Sequence, residues 1–211
     1  MAGAPLRIPI FPLAGALLFP RAQLPLHIFE PRYVAMVRDA LATHQLIGMV
    51  QPRTGNEPPA LFEIGCLGRI ASAEELDDGP FNIVLEGLGR FRIAAEAAAA
   101  TPYRQADADR SGFERDEEEP DPLGLAQRAE LEREARRYAD ALGYAVDWDA
   151  VTRLDDEMLV NAIAQVAPFD VGSKQALLEA QDIAARCELI VQFMQFQRMV
   201  PGGVEGPETL Q

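Results

Sequence analysis

The chain has 211 residues, of which 48% are hydrophobic and 25% charged, and its formal net charge is −14. That length suits one large domain or two small ones, with roughly 70% of the unfolded surface buried on folding. No basic footprint of the kind a nucleic-acid binder needs stands out, and the strong acidity favours solubility and repels phosphates. The acidity is uneven: ten acids face eight arginines in residues 1–103, eight face three arginines in 104–121, and fifteen face eight bases in 122–211.

The longest apolar stretch, Ile8 to Phe19, is broken by Pro9 and Pro12. It is shorter than the ~20 residues of a membrane span. Arg7 before it and Ala14-Gly15-Ala16 within it imitate a secretory leader, but the prolines and the apolar continuation to Phe29 favour strands and turns. Short apolar runs recur at Leu6–Phe11, Leu24–Phe29, Ile47–Val50, Leu61–Ile70, Asn82–Leu85 and Arg90–Ile93, separated by Gly, Pro and Asn. This punctuation predicts many short strands and a small barrel or folded sheet. Residues 54–59 read as a loop and 76–80 as a turn. Phe81–Ile93 reads as a hairpin around Gly87-Leu88-Gly89.

One helix is expected among these strands, from Pro31 to Thr43. Tyr33, Met36, Val37, Ala40 and Leu41 share a face. Pro31 fits the first helical position, and the Glu30 carboxylate lies where the helix dipole favours negative charge. Residues 104–121, with the run Asp116-Glu117-Glu118-Glu119, read as a flexible acidic linker that repels itself. Helices follow. Leu131, Ala135, Tyr138 and Leu142 form a stripe ending at Gly143. A second helix is capped by Asp155, with Leu159, Ala162, Ile163 and Val166 as its apolar face and Pro168 as its stop. A short third helix follows Asp170. The fourth starts near Asp182 and turns Ile183, Cys187, Ile190, Val191 and Met194 inward. Residues 201–211 read as a disordered tail.

Chemistry is conspicuous by what is missing. No phosphate-binding loop occurs, and Val171-Gly172-Ser173-Lys174 lacks both its leading glycine and the right Lys-Ser order. The single lysine, Lys174, adjoins Ser173, and neighbouring side chains diverge on a helix. Cys66 and Cys187 match no metal or redox spacing and read as reduced, packed thiols of a cytoplasmic protein. With only His27 and His44, a histidine-rich metal site is not expected. His27 and Glu30 could form an acid/base pair. Alternation places His27 opposite Leu26 and Ile28 on the wetter face of a strand, which makes a structural role the simpler reading.

Several stretches carry a family resemblance. Ile8-Pro9-Ile10-Phe11-Pro12-Leu13, Leu17-Leu18-Phe19-Pro20 and above all Leu24-Pro25-Leu26-His27-Ile28-Phe29-Glu30-Pro31-Arg32-Tyr33 resemble the N-terminal, substrate-binding domain of the ATP-dependent Lon protease. The likeness continues through 64–70, Asp78-Gly79, Gly87–Ile93, Pro102-Tyr103 and the Lys174–Glu179 run with Arg186. The resemblance implies an α+β fold, a PUA-like β pseudo-barrel with one helix over 1–103, joined by 104–121 to a helical bundle over 122–200. It also implies a role in recognising protein substrates; with the catalytic, phosphate-binding and metal motifs missing, the expectation is a non-catalytic protein- or peptide-binding module, without cofactor or metal, that recognises unfolded or exposed polypeptide as a quality-control adaptor beside a protease or chaperone. His27, Phe29, Glu30, Arg32, Tyr33, Arg90 and Arg92 carry the signature and are the candidate binding or structural residues. Neither the ATPase nor the Ser–Lys peptidase motifs of the family occur, and the acidic insert at 107–121 departs from its pattern. Two alternatives stand beside this reading: small-ligand binding in the barrel–bundle cleft, and RNA binding through Arg7, Arg21, Arg90 and Arg92. A homodimer through Phe193, Phe196 and Met199 is a further expectation.

Overall fold

A computed structural model describes residues 6–53 and 58–199. The chain divides into two compact units, Met1–Glu119 and Pro120–Gln211. The first holds strands β1 (Leu6–Pro12), β2 (Gln23–Ile28), β3 (Leu46–Val50), β4 (Ile64–Glu75), β5 (Phe81–Ala97) and β6 (Gln105–Asp109), with helix α1 (Pro31–Leu41) between β2 and β3. The sheet order is β2-β5-β4-β3-β1-β6, and β6 also pairs with β5. Five strands therefore close into a ring, while β2 lies outside it, paired along Glu86 to Phe81 of β5. β1 and β3 run parallel, joined by the crossover that contains α1, as parallel neighbours require.

Alternation decides what fills the ring. Ile8, Ile10, Val50, Leu67, Phe91, Ala106 and Ala108 form one buried cluster. On α1 the buried residues are Tyr33, Met36, Val37 and Ala40, the face expected from their spacing. The α+β class and the pseudo-barrel hold.

Two local expectations fail in this unit. Phe81–Ile93 is no hairpin: β5 is one strand of 17 residues, and the hairpin lies earlier, where Leu76–Pro80 joins β4 to β5. The Gly87-Leu88-Gly89 stretch is a bulge, since Leu67 pairs with Gly89 and Gly68 with Gly87. Gly87 is needed for proximity, because a Cβ there would lie 1.9 Å from the Phe19 carbonyl oxygen. Secondly, the predicted linker is structured. Residues 105–109 form β6, Glu114–Glu117 form a 3-10 turn, and Asp116 is buried. An ion pair outweighs the self-repulsion of the acidic run: the Asp116 carboxylate accepts from the Arg90 backbone N (2.7 Å), Nε (3.0 Å) and Nη2 (2.7 Å).

The second unit contains α2 (Leu125–Leu142), α3 (Trp148–Val151), α4 (Asp156–Val166), α5 (Val171–Glu179) and α6 (Ile183–Met199). Gly143 closes α2 in the left-handed conformation, at φ 71°. Asp155 and Asp170 cap α4 and α5 by accepting from the Met158 and Ser173 backbone N–H groups. α6 packs on α2, α4 and α5, with Ile183, Cys187, Ile190, Val191 and Met194 buried as expected. The face of α4 differs from expectation: Leu159, Val160, Asn161 and Ala164 are buried, and Val166 is 78% exposed. α3 was not expected at all. The 201–211 tail and most of the 54–59 loop lie outside the described residues.

The Lys174–Glu179 run acquires a structural account. Lys174 is buried and its Nζ donates to the Gln165 carbonyl, at the end of α4 (2.8 Å). Burial lowers the pKa of this amine. Arg186, also buried, donates to the Leu177 carbonyl near the end of α5 (2.9 Å) and to Asn161 Oδ1 (2.7 Å). Both cations thus satisfy carbonyls that helix ends leave unpaired.

Candidate functional site

The signature stretch runs from the free edge of the sheet into α1. Along β2, Gln23, Pro25 and His27 are exposed, Leu24 and Leu26 half-buried and Ile28 buried. Pro25 stands in an edge strand, where its missing N–H needs no partner. His27 faces Asn82 across the ladder, and its Nδ1 lies 2.8 Å from Asn82 Oδ1. Two residues on, Phe29 is 65% exposed and stacks on the His27 ring, centroid to centroid 5.9 Å. An imidazole and a phenyl ring therefore form a solvated step beside the open edge.

The corner that follows is built differently. The Glu30 carbonyl accepts from the Tyr33 and Val34 backbone N–H groups, starting α1 (both 2.9 Å). The Glu30 side chain makes no cap bond. It turns to Arg32, whose Nη2 lies 2.8 Å from Oε2, and this pair is half exposed. The Arg32 guanidinium also lies 4.6 Å from the Tyr33 ring centroid. Tyr33 itself is core, 4.3 Å from Phe11 between centroids, and burial raises its pKa. Arg90 is buried against Asp116, whereas Arg92 is exposed and pairs with Glu63 at 3.0 Å. The seven candidates thus separate: His27 and Phe29 share one exposed face, Glu30 and Arg32 form a surface pair, Tyr33 and Arg90 are internal, and Arg92 belongs to a surface ion pair. His27 bonds Asn82 and Glu30 bonds Arg32, so the acid/base pair does not form.

Other chemistry is sparse. Tyr103 donates to Asp39 Oδ2 at 2.7 Å, and burial with that bond pushes its pKa to about 12. Ser173 donates its hydroxyl to Asp170 rather than to Lys174. Among the described residues no cluster of His, Cys, Asp or Glu could hold a metal ion. None of the described helices is long and apolar enough to cross a membrane.

Sequence reasoning missed one feature. Within the second unit, α2, α3, α4 and α6 surround a cavity of ≈ 220 Å³ lined by Tyr138, Trp148, Leu159, Ile163, Val166 and Met194, among others. The Leu159/Ala162/Ile163/Val166 spacing was its only visible sign. Tyr144, Val146 and Trp148 stand in an irregular, acid-punctuated stretch without periodicity.

The geometry defines a small barrel with an exposed sheet edge in one unit and a compact helical bundle in the other. A model of the ATP-dependent protease La (LON) substrate-binding domain matches residues 7–195, and the chain belongs to this family. It is 31% identical to Lon protease 2 of Sorangium cellulosum (strain So ce56), with 87% of this chain and 24% of the relative covered. It is 29% identical to Lon protease 2 of Myxococcus xanthus, with 92% and 24% covered. The chain thus spans about a quarter of the length of these relatives. Among solved structures, the Lon N-terminal domain protein from Xanthomonas campestris superposes with TM-score 0.61 at 22% identity, covering 93% of this chain and 99% of that one. The N-terminal domain of the Mycobacterium avium complex Lon protease gives 0.63 at 17% identity, covering 90% and 98%.

Proposed function

We propose that this chain is a non-catalytic polypeptide-binding module that captures unfolded or exposed segments in the cytoplasm, acting as a quality-control adaptor beside a protease or chaperone. The observation that carries the reading is the exposed Phe29 step at the end of an edge strand, in a member of a substrate-binding family. An aromatic ring left in water beside open backbone groups suits an extended, partly apolar chain. Cys66 and Cys187 are buried thiols rather than halves of a disulfide, which supports a reducing compartment. Exposed Phe196 and Met199 on α6 support a homodimer. RNA binding is disfavoured, because Arg7, Arg90 and Arg92 are paired with acids and Arg21 donates to the Asp116 carbonyl.

The test is capture of a fluorescently labelled, alkylated unfolded protein, with and without ATP. Saturable anisotropy, indifferent to ATP, with the label intact is the expected result. ATP-dependent fragments from the pure chain would sink the proposal.

A further inference from the structure

We propose that the cavity in the helical unit is a receptor for one large apolar side chain, preferentially aromatic, presented by a polypeptide segment with lysine or arginine on either side. This rests on the polypeptide-binding reading above and adds to it a second, chemically defined contact.

Size and lining set the ligand class. An engineered apolar cavity of about 150 Å³ stays dry and binds benzene, whereas sites for drug-sized molecules begin at about 300 Å³. At ≈ 220 Å³ the cavity takes a ring or a branched aliphatic group and little more. Its wall is almost wholly apolar. The Tyr138 hydroxyl is already bonded to Gln197, and Trp148 presents a ring face that Arg136 covers at 4.4 Å from the centroid. A metabolite bearing phosphate or a zwitterionic head would lose hydration there without recovering hydrogen bonds. An apolar side chain brings no such group.

Charge sets what surrounds that side chain. Asp140, Asp147, Asp149 and Asp155 are exposed on the same unit, and Asp147 and Asp155 also accept from the Ala150 and Met158 backbone N–H groups. Against them stand Arg136, engaged with Trp148, and Arg153. Buried Glu134 is held by Arg133, Arg137 and Arg198. The helical unit as a whole is acidic, with fifteen acids against eight bases over 122–211. It attracts basic flanks and repels a carboxylate-bearing ligand such as a fatty acid. The mouth is marked by Tyr144 (40% exposed), Val146 (36%) and Val166 (78%), apolar residues that a bound segment would cover.

Trp148 is the chain's single tryptophan and lines the cavity, so its emission reports occupancy directly. The intact chain would be titrated with a Lys-Lys-Phe-Lys-Lys peptide, its Ala-centred form, its Glu-flanked form and toluene. The Phe peptide is expected to shift Trp148 emission saturably, and the Ala-centred peptide to bind about tenfold more weakly or worse, the worth of one buried ring. Glutamate flanks should weaken binding similarly at low salt, and added salt should narrow the difference. Ala162→Phe, which fills the cavity, and Val166→Asp, at an exposed position, should each abolish the shift. Equal affinity for the Phe and Ala peptides overturns the proposal, as does unchanged binding by a Val166→Asp chain that melts like wild type. A shift with toluene but no peptide assigns the cavity to free apolar compounds, and a shift with protein concentration alone assigns it to a second copy; either overturns the polypeptide occupant. Capture of unfolded protein without any Trp148 response refutes only the cavity. A Trp148 response without capture refutes only the broader function.

Discussion

Removing the Asp116 carboxylate is the sharpest available perturbation of the barrel. In Asp116→Ala, Arg90 keeps its charge but loses the carboxylate that faces it. The two side chains are 8% and 6% exposed, so water cannot easily take over. Three contacts vanish together: the Arg90 backbone N–H at 2.7 Å, Nε at 3.0 Å and Nη2 at 2.7 Å. Breaking one side of a buried ion pair costs about 3–5 kcal/mol, chiefly by stranding the remaining charge. At roughly 4 °C per kcal/mol for a domain of this size, the first unit should melt roughly 12–20 °C lower. Urea denaturation followed by far-UV circular dichroism gives the free energy directly. The double variant Arg90→Met/Asp116→Leu strands no charge and should recover most of the loss. A loss below about 1 kcal/mol in Asp116→Ala, the worth of an exposed pair, would mean that the segment is not docked.

Three further outcomes follow from the geometry. Phe29→Ser touches a side chain 65% exposed, so stability should change by no more than about 0.5 kcal/mol; anisotropy with the labelled unfolded protein should nonetheless show weakened capture, and unchanged capture would remove the edge-strand step from the site. Tyr103 and Tyr138 have pKa values raised to about 12, whereas unfolded tyrosine ionises near 10; the folded state therefore holds more protons between these values, and stability should fall as pH rises through that window, as denaturation at stepped alkaline pH would reveal, with a smaller slope in Tyr103→Phe. Arg186→Leu leaves the Leu177 carbonyl and Asn161 Oδ1 without this buried donor, which should cost the helical unit about 2–4 kcal/mol; amide hydrogen exchange should rise in α4–α6 and not in the barrel.

What the sequence disclosed follows from how local each signal is. The α1 face, the Gly143 stop and the Asp155 and Asp170 caps rest on residues within one or two turns, and all stand where expected. Gly87-Leu88-Gly89 misled because glycine marks both turns and close approaches. Only the distant Phe19 carbonyl distinguishes them. The acidic segment misled because composition counts charges without partners, and Asp116 finds Arg90 at a separation of 26 residues. For the site, periodicity gave the exposed side of β2 and hence His27, but not that β2 would lie at the end of the sheet. Of the cavity, only the Leu159/Ala162/Ile163/Val166 stripe was legible, since four helices must meet before its lining faces one space.

The ring has a temporal consequence. β1 pairs with β6, and Leu6 meets Ala108. Closure therefore waits until residue 109 has been synthesised, about a hundred residues after β1. At about 5–20 residues per second, the first strand spends several seconds or more with one edge open. Such non-local pairing also slows folding itself, towards the millisecond-to-second range. During that interval the nascent chain displays the unpaired strand edge and the apolar side chains that the closed ring buries.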